Sequence, residues 1–206
     1  RSRNLAIKKS KADIVGIADD DLYYYDGFEE IILDYYQNNE SADIVIFNID
    51  NWEKSFSEKT HKCNFFELSG FVSMQITIKK SSIYTKFNEL FGSGSKVFDS
   101  GEENIFLAQC YRRKKSIYYC NKKILNRTEK QSSWFKGYNN EKFISDRGAI
   151  YYEISPILFP IYIFRFAFFK RKIIKPISSF YALKLMIEGK NELIYRKKRD
   201  FHSKIL

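Results

Sequence analysis

Three consecutive carboxylates, Asp19, Asp20 and Asp21, close the apolar run DIVGIADDD and are the first residues whose types and spacing could do chemistry. Adjacent carboxylates repel and raise one another's pKa unless a cation compensates, and an oxygen-only donor set suits Mg²⁺ or Mn²⁺. In open α/β sheets the ligand crevice lies at the carboxyl ends of the strands, which is where these acids fall if the run before them is a strand. The other reading is a solvated turn in which Asp21 or Asp26 caps the following helix. A second acidic pair, Glu102 and Glu103, follows the glycine-rich stretch Gly92-Ser-Gly94-Ser95. Those glycines permit close backbone approach to a ligand, although Gly-Ser is also an ordinary turn sequence. Ser100 with Glu103 fits a capping box, and acids in a first helical turn complement the helix dipole, so capping would account for both glutamates. The chemical alternative is that one of them takes a hydroxyl proton as a general base.

The elements that must position these groups follow from hydrophobic periodicity. Ile14, Val15, Ile17 and Ala18 read as a strand buried on both faces, as in a parallel sheet flanked by helices. Asp26-Gly-Phe-Glu29 reads as a capping box that starts a helix, and Phe28, Ile31, Ile32, Tyr35 and Tyr36 recur as one apolar stripe able to lie on a sheet. Asn38 and Asn39 stop it. Ala42 to Ile49 is the next buried strand, so strand, helix and strand make a right-handed crossover with a parallel pair. Residues 50 to 64 read as a polar excursion, Phe65 to Lys79 as a partly alternating strand, and Ile105, Phe106 and Cys110 as part of a helix running toward Arg112 to Lys115. SIYYC reads as a further strand.

The segment RNLAIKKSKADIVGIADDDLYYYDGFEEIILDYY resembles the family 2 glycosyltransferases of the GT-A fold, in which an Arg-Asn pair precedes a strand ending in an Asp-x-Asp motif. FGSGSKVFDSGEENIFL resembles the same family's Gly-rich loop and Glu-Asp motif, here Glu102-Glu103, and IYTKFNELF precedes it where the family commonly has a short helix. The resemblance covers roughly Arg3 to Gly148, and two motifs at this separation are more specific than either alone. It implies an α/β fold, GT-A-like, with a mixed but mainly parallel sheet flanked by helices. It also implies a metal-dependent, inverting transfer of sugar from a nucleotide-sugar, UDP-linked, to a saccharide or lipid-linked acceptor of a surface polysaccharide such as capsule or lipopolysaccharide. By the same resemblance Asp21 would hold Mn²⁺ or Mg²⁺, Arg3, Asp19 and Asp20 would lie on the nucleotide-sugar side, and Gly94 and Trp134 on the acceptor side. Glu103 stands where the family has its catalytic Asp, one C–C bond longer, and Glu102 matches the Glu that positions acceptor or backbone. Gln131-Ser-Ser-Trp134 is a shortened form of the Q-x-x-R-W sequence, whose Trp stacks on acceptor sugar, without the Arg of processive members, and Trp134 reads equally as a core or lid aromatic. The family's first strands, with the Asp that reads uracil, have no counterpart, so a piece of a longer enzyme is expected. The alternative is a truncated, non-catalytic module that binds saccharide or membrane.

A chain of 206 residues with 44% apolar and 17% aromatic content is long and apolar enough for a full core. The net charge is +10, and from Ile154 onward twelve Lys/Arg stand against three Asp/Glu, which leaves residues 1 to 153 at about plus one. Basicity confined to a tail beside aromatic sequence fits an anionic membrane face rather than nucleic acid. Division into a catalytic domain, 1–153, and a basic amphipathic tail, 154–206, follows. Ile154 to Phe169 is too short to span a bilayer and is interrupted by Pro156, Pro160 and Arg165. With Phe180 to Ile187, where Leu183, Met186 and Ile187 share a side, it reads as an interfacial anchor on the cytoplasmic face of the cell membrane. Its alternative is a helical pair packed on the catalytic domain or on a second subunit of a homo-oligomer. Cys63, Cys110 and Cys120 fit buried or free thiols of a reducing compartment. His61 and Cys63 lie close together, but with one other His in the chain they read as structural or surface residues rather than zinc ligands.

Overall fold

The computed structural model describes residues 2–18, 22–50, 57–127, 140–170 and 174–202, of which Arg127 and residues 200–202 are described by backbone alone. They fall into two compact units: Arg1–Phe87 with Phe106–Gln131, and Asn88–Ile105 with Ser132–Leu206. Residues on both sides of 153 therefore share the second unit.

The first unit is a mixed six-stranded sheet with a helix on each face. The strands are β1 (Ile14–Gly16), β2 (Leu22–Tyr24), β3 (Ile44–Asp50), β4 (His61–Lys62), β5 (Ile76–Lys79) and β6 (Ile117–Arg127). Their order is β1-β5-β3-β6-β2, with β4 also on β6. The centre is β3, whose every second side chain goes to the opposite face, as a period of two requires. Ile44 and Ile46 join Ile76, Ile78, Ile117 and the Phe106, Leu107 and Cys110 side of helix α3 (Glu102–Arg112). Val45, Phe47 and Ile49 join Ile124, Leu125 and the Tyr35 and Tyr36 side of helix α2 (Phe28–Asn38). The stripe expected on α2 thus lies on the sheet, and helix α1 (Ser2–Lys9) precedes β1 with no residue buried. The three cysteines are buried and unbridged.

Several expected details differ. β1 is not buried on both faces: Ile14 and Val15 are half-buried, Gly16 and Ala18 are exposed, and the strand pairs antiparallel with β5. β5 is also antiparallel to β3, so it separates β1 from β3, and the crossover does not make an adjacent parallel pair. The parallel pair is β3 with β6. Asp26 does not cap α2. Gly27 does, with φ of 77° and no side-chain bond, so the left-handed turn rather than a carboxylate starts the helix at Phe28. Phe65 to Lys79 is a strand only from Ile76; before it come 3₁₀ turns η1 (Glu67–Gly70) and η2 (Ser73–Gln75). There the Gln75 amide donates to the Phe47 carbonyl at 2.8 Å and its oxygen accepts from Val72 N–H at 3.2 Å. Ile83 to Leu90 forms no helix.

The second unit contains helices α4 (Glu141–Ile154), α5 (Phe159–Phe169) and α6 (Ser179–His202). The Asn140 side chain accepts from Phe143 N–H and so caps α4, and a proline in the first turn opens α5. Ile144, Phe159, Ile163, Ala167, Ala182, Leu185 and Met186 form the core. α4 and α6 meet backbone to backbone: a Cβ on Gly148 would lie 1.9 Å from the Met186 carbonyl oxygen, and one on Gly189 would lie 1.9 Å from that of Ser145. In the tail stretch Met186 is buried and Ile187 is exposed, so the two do not share a side. The outer side of α5 carries exposed Ile161, Phe164, Phe168 and Phe169, and Phe180 of α6 is exposed with them. No helix among the described residues is long and apolar enough to cross a membrane.

Candidate active site

The second unit brings the Gly-rich loop and the paired glutamates together. Phe91 and Phe98 form an isolated parallel bridge and stack with ring centroids 4.7 Å apart, which closes the loop between them. Ser95 organises its interior: its hydroxyl accepts from the Val97 and Phe98 N–H groups at 3.2 and 3.1 Å and donates to the Phe98 carbonyl at 2.7 Å. Gly92, Gly94 and Lys96 all have positive φ, at 103°, 81° and 64°. At Gly94 an added Cβ would meet nothing within 4 Å, so its glycine serves the turn and leaves open space above the loop. Gly92 is different. A Cβ there would lie 2.7 Å from the Glu102 carboxylate carbon, so the missing side chain is what lets that carboxylate sit against the loop backbone.

Glu102 and Glu103 are the first two residues of α3, both half-buried, with the Gly101 carbonyl accepting from Ile105 N–H at 3.1 Å. Helix α4 braces this approach from the same unit: a Cβ on Gly101 (φ 90°) would lie 2.4 Å from Ile150 Cδ1. Asp146, 4% exposed, accepts from Asp99 N–H at 2.9 Å and from the Lys142 ammonium at 3.0 Å. Lys142 also donates to the Val97 carbonyl at 2.9 Å and pairs with Asp99 at 3.3 Å. Burial pushes the Asp146 carboxyl above its usual range, against these bonds and the Lys142 charge, which favour the carboxylate. A single Lys and a buried Asp thus latch the chain between the loop and α3. Nothing in the sequence reading picked out Asp146; the available signal was a carboxylate set among Ile144, Gly148, Ala149 and Ile150 on a helical face.

In the first unit Arg3 lies on α1 with its guanidinium 5.9 Å from the Phe87 ring centroid. Its neighbour Asn4 fixes that helix: the side-chain amide donates to the Phe87 carbonyl at 2.9 Å and accepts from Phe87 N–H at 2.8 Å. Asp19, Asp20 and Asp21 lie outside the described residues, as does Trp134. The strand that follows the triplet, β2, leads to Tyr25, whose hydroxyl donates to Asp50 Oδ2 at 2.9 Å, and Lys123 pairs with Asp50 Oδ1 at 2.5 Å. Burial raises the Tyr25 phenol above its ordinary value, with the Asp50 hydrogen bond and charge acting the same way. Asp50 lies one residue past Ile49, where the apolar run that marks the strand stops, so hydrophobic periodicity does not point to this trio. The site residues expected from the sequence thus divide: the loop, Gly94, Glu102 and Glu103 share one unit, and Arg3 belongs to the other.

No protein-family model matches this sequence. No curated protein matches it either. Among solved structures, the crystal structure of S. aureus TarS matches with a TM-score of 0.55 at 15% identity, over 81% of this chain and 31% of that one. S. aureus TarS 1–349 matches with a TM-score of 0.49 at 14% identity, over 95% of this chain and 70% of that one. The chain therefore spans less than a third of the length of the first of these. At such identity the likeness is one of fold, and the fold of this chain is glycosyltransferase-like.

Proposed function

We propose that this chain is catalytic sequence of a glycosyltransferase that moves a sugar from a nucleotide-sugar donor, UDP-linked, to a saccharide or lipid-linked acceptor of a surface polysaccharide. The observation that carries the reading is the Glu102 carboxylate seated against Gly92 in a chain of glycosyltransferase-like fold, since it joins the two downstream motifs in one place. An open turn at Gly94 beside a helix start rich in carboxylate supports acceptor binding there, with Trp134 as a stacking partner. Glu103 would take the acceptor hydroxyl's proton as that oxygen attacks the anomeric carbon, inverting it, and Glu102 would hold the loop that orients the acceptor.

On the donor side, Asp19 would contact the ribose or uridine, Asp20 would lie beside it, and Arg3 would add positive charge near the diphosphate. The all-carboxylate donor set of the Asp triplet suits Mn²⁺ or Mg²⁺, with Asp21 as the ligand. Such an ion, when bound, neutralises charge on the departing diphosphate. The exposed aromatic side of α5, with the basic residues that follow it, supports attachment to an anionic membrane surface on the cytoplasmic side.

A second reading, a saccharide-binding module without turnover, is favoured by Glu103 standing where the family has Asp. Calorimetry of UDP with the protein as it is encoded, with and without Mn²⁺, tests the first. Metal-dependent binding that Asp21→Asn abolishes, together with release of UDP from a UDP-sugar when acceptor is added, is the expected result. Metal-dependent binding without any turnover would leave the binding module, and no nucleotide binding would remove the donor role altogether.

A further inference from the structure

His61, Cys63 and Glu67 gather an imidazole, a thiol and a carboxylate whose ligand atoms all lie within 4.8 Å of one another, in the first unit and apart from every residue assigned above. The local chain explains the grouping. Extended chain puts residues two apart on one face, which aligns His61 of β4 with Cys63 just past its end, and η1 begins at Glu67 and turns its carboxylate back toward them.

Proximity is not the only sign. His61 Nδ1 lies 2.8 Å from the Lys59 carbonyl oxygen, which can only accept, so Nδ1 carries the proton in that contact. In the neutral ring Nε2 is then a bare acceptor, and it faces Glu67 Oε2 at 3.3 Å. Two acceptors at that distance need a cation between them, either a second ring proton or a metal ion. Anchoring of the far ring nitrogen by a backbone carbonyl is the usual outer support of a metal-binding histidine. The carboxylate is held in the same manner, since Glu67 Oε2 also accepts from Asn64 N–H at 3.0 Å. A tetrahedral zinc site with bonds of about 2.0–2.1 Å to N and O has N···O edges of about 3.3 Å, the spacing found here.

A second ring proton would satisfy His61 and Glu67 but would leave the thiol without part in the arrangement. Cys63 is buried, and its sulfur lies together with the other two donor atoms. A borderline-soft ion uses all three donors at once. His61 and Glu67 are each about one-third exposed, which gives an ion a path in and leaves room for water.

We propose that His61, Cys63 and Glu67 form a three-ligand site for Zn²⁺ or a chemically similar divalent ion, with the fourth coordination position open. The test uses protein carrying Asp21→Asn, so that an ion at the donor triplet is not counted, stripped with chelator and titrated with Zn²⁺ and then with Co²⁺. The expected result is one ion per chain, with Co²⁺ giving a thiolate-to-cobalt charge-transfer band in the near ultraviolet. Cys63→Ser should remove that band, and His61→Gln and Glu67→Gln should each remove stoichiometric binding while leaving the circular dichroism unchanged. The two latter positions are partly exposed, so they keep the test decisive if the buried Cys63→Ser fails to fold. Absence of stoichiometric uptake, Co²⁺ uptake without the charge-transfer band, or uptake that survives His61→Gln and Glu67→Gln would each overturn the site.

Discussion

The two compact units solve the same problem with opposite materials. In the first, β3 sends large aliphatic and aromatic side chains alternately to two faces, and each face is closed by side chains of a helix. In the second, α4 and α6 approach so closely at Gly148 and Gly189 that backbone touches backbone, and side chains pack around that contact. One region depends on volume being present and the other on volume being absent. The difference also sorts the candidate chemistry. The Gly-rich loop and α3 start repeat the second device, because Gly92 and Gly101 make room for Glu102 and Ile150.

The contrast can be broken most severely at the candidate base. Glu103→Gln keeps the size of the side chain and removes its ability to take a proton, so transfer should fall by roughly 10²- to 10⁴-fold while nucleotide binding persists. Turnover and calorimetry on the same preparation check this, and near-normal turnover would leave helix capping as the role of Glu103. Next is Phe47→Ala, fully buried in the first unit, which should cost about 3–5 kcal/mol in urea unfolding. Gly148→Ala should cost about 1–3 kcal/mol or more, although it adds only a methyl, because the obstacle is the Met186 carbonyl rather than a movable side chain. If Gly148→Ala were neutral, the backbone contact that distinguishes the second unit would not exist in solution.

A smaller effect concerns Asp146. Its carboxyl is raised by burial, so its contribution favours folding below the unfolded value of 3.8 and is lost as pH rises through the higher folded value. Unfolding measured across that acid range should therefore show wild type losing stability relative to Asp146→Asn as pH increases. A carboxyl titrating below 3.8 by NMR would reverse the sign. The smallest effect on stability, within about 0.5 kcal/mol, is expected of Phe164→Ser with Phe169→Ser, because both rings are exposed. The same double substitution should release the protein from anionic vesicles in flotation, and unchanged flotation would show that the aromatic side of α5 does not meet the membrane.

What could be read in the sequence was set by how far each signal reaches along the chain. β3 and α2 were legible because alternation and a helical stripe are local and strong. Partner order was not: a strand as short as β1 or β5 carries no record of which neighbour it joins, so antiparallel β5 between β1 and β3 could not be seen. α1 buries nothing and offered no periodicity. The loop and the glutamates are read from one stretch, FGSGSKVFDSGEENIFL, but their meeting in space depends on the Phe91 to Phe98 closure, and Glu67 joins His61 and Cys63 only through a 3₁₀ turn. Buried Asp146 carries only the weak signal of its apolar helical neighbours, because a polar residue in a helix reads as solvent-facing until its partners are known.

Asn4 binds both the N–H and the carbonyl of Phe87, so the two ends of its amide are chemically told apart. That makes the position sensitive to ageing. Hydrolysis of the amide to a carboxylate, the slow spontaneous fate of asparagine, would leave one oxygen still able to accept from Phe87 N–H but would turn the other against the Phe87 carbonyl. The damage adds one negative charge beside Arg3 and converts a two-point clasp on α1 into a half-repulsive one, leaving the packing of Ile7 on the core as the hold that remains on that helix.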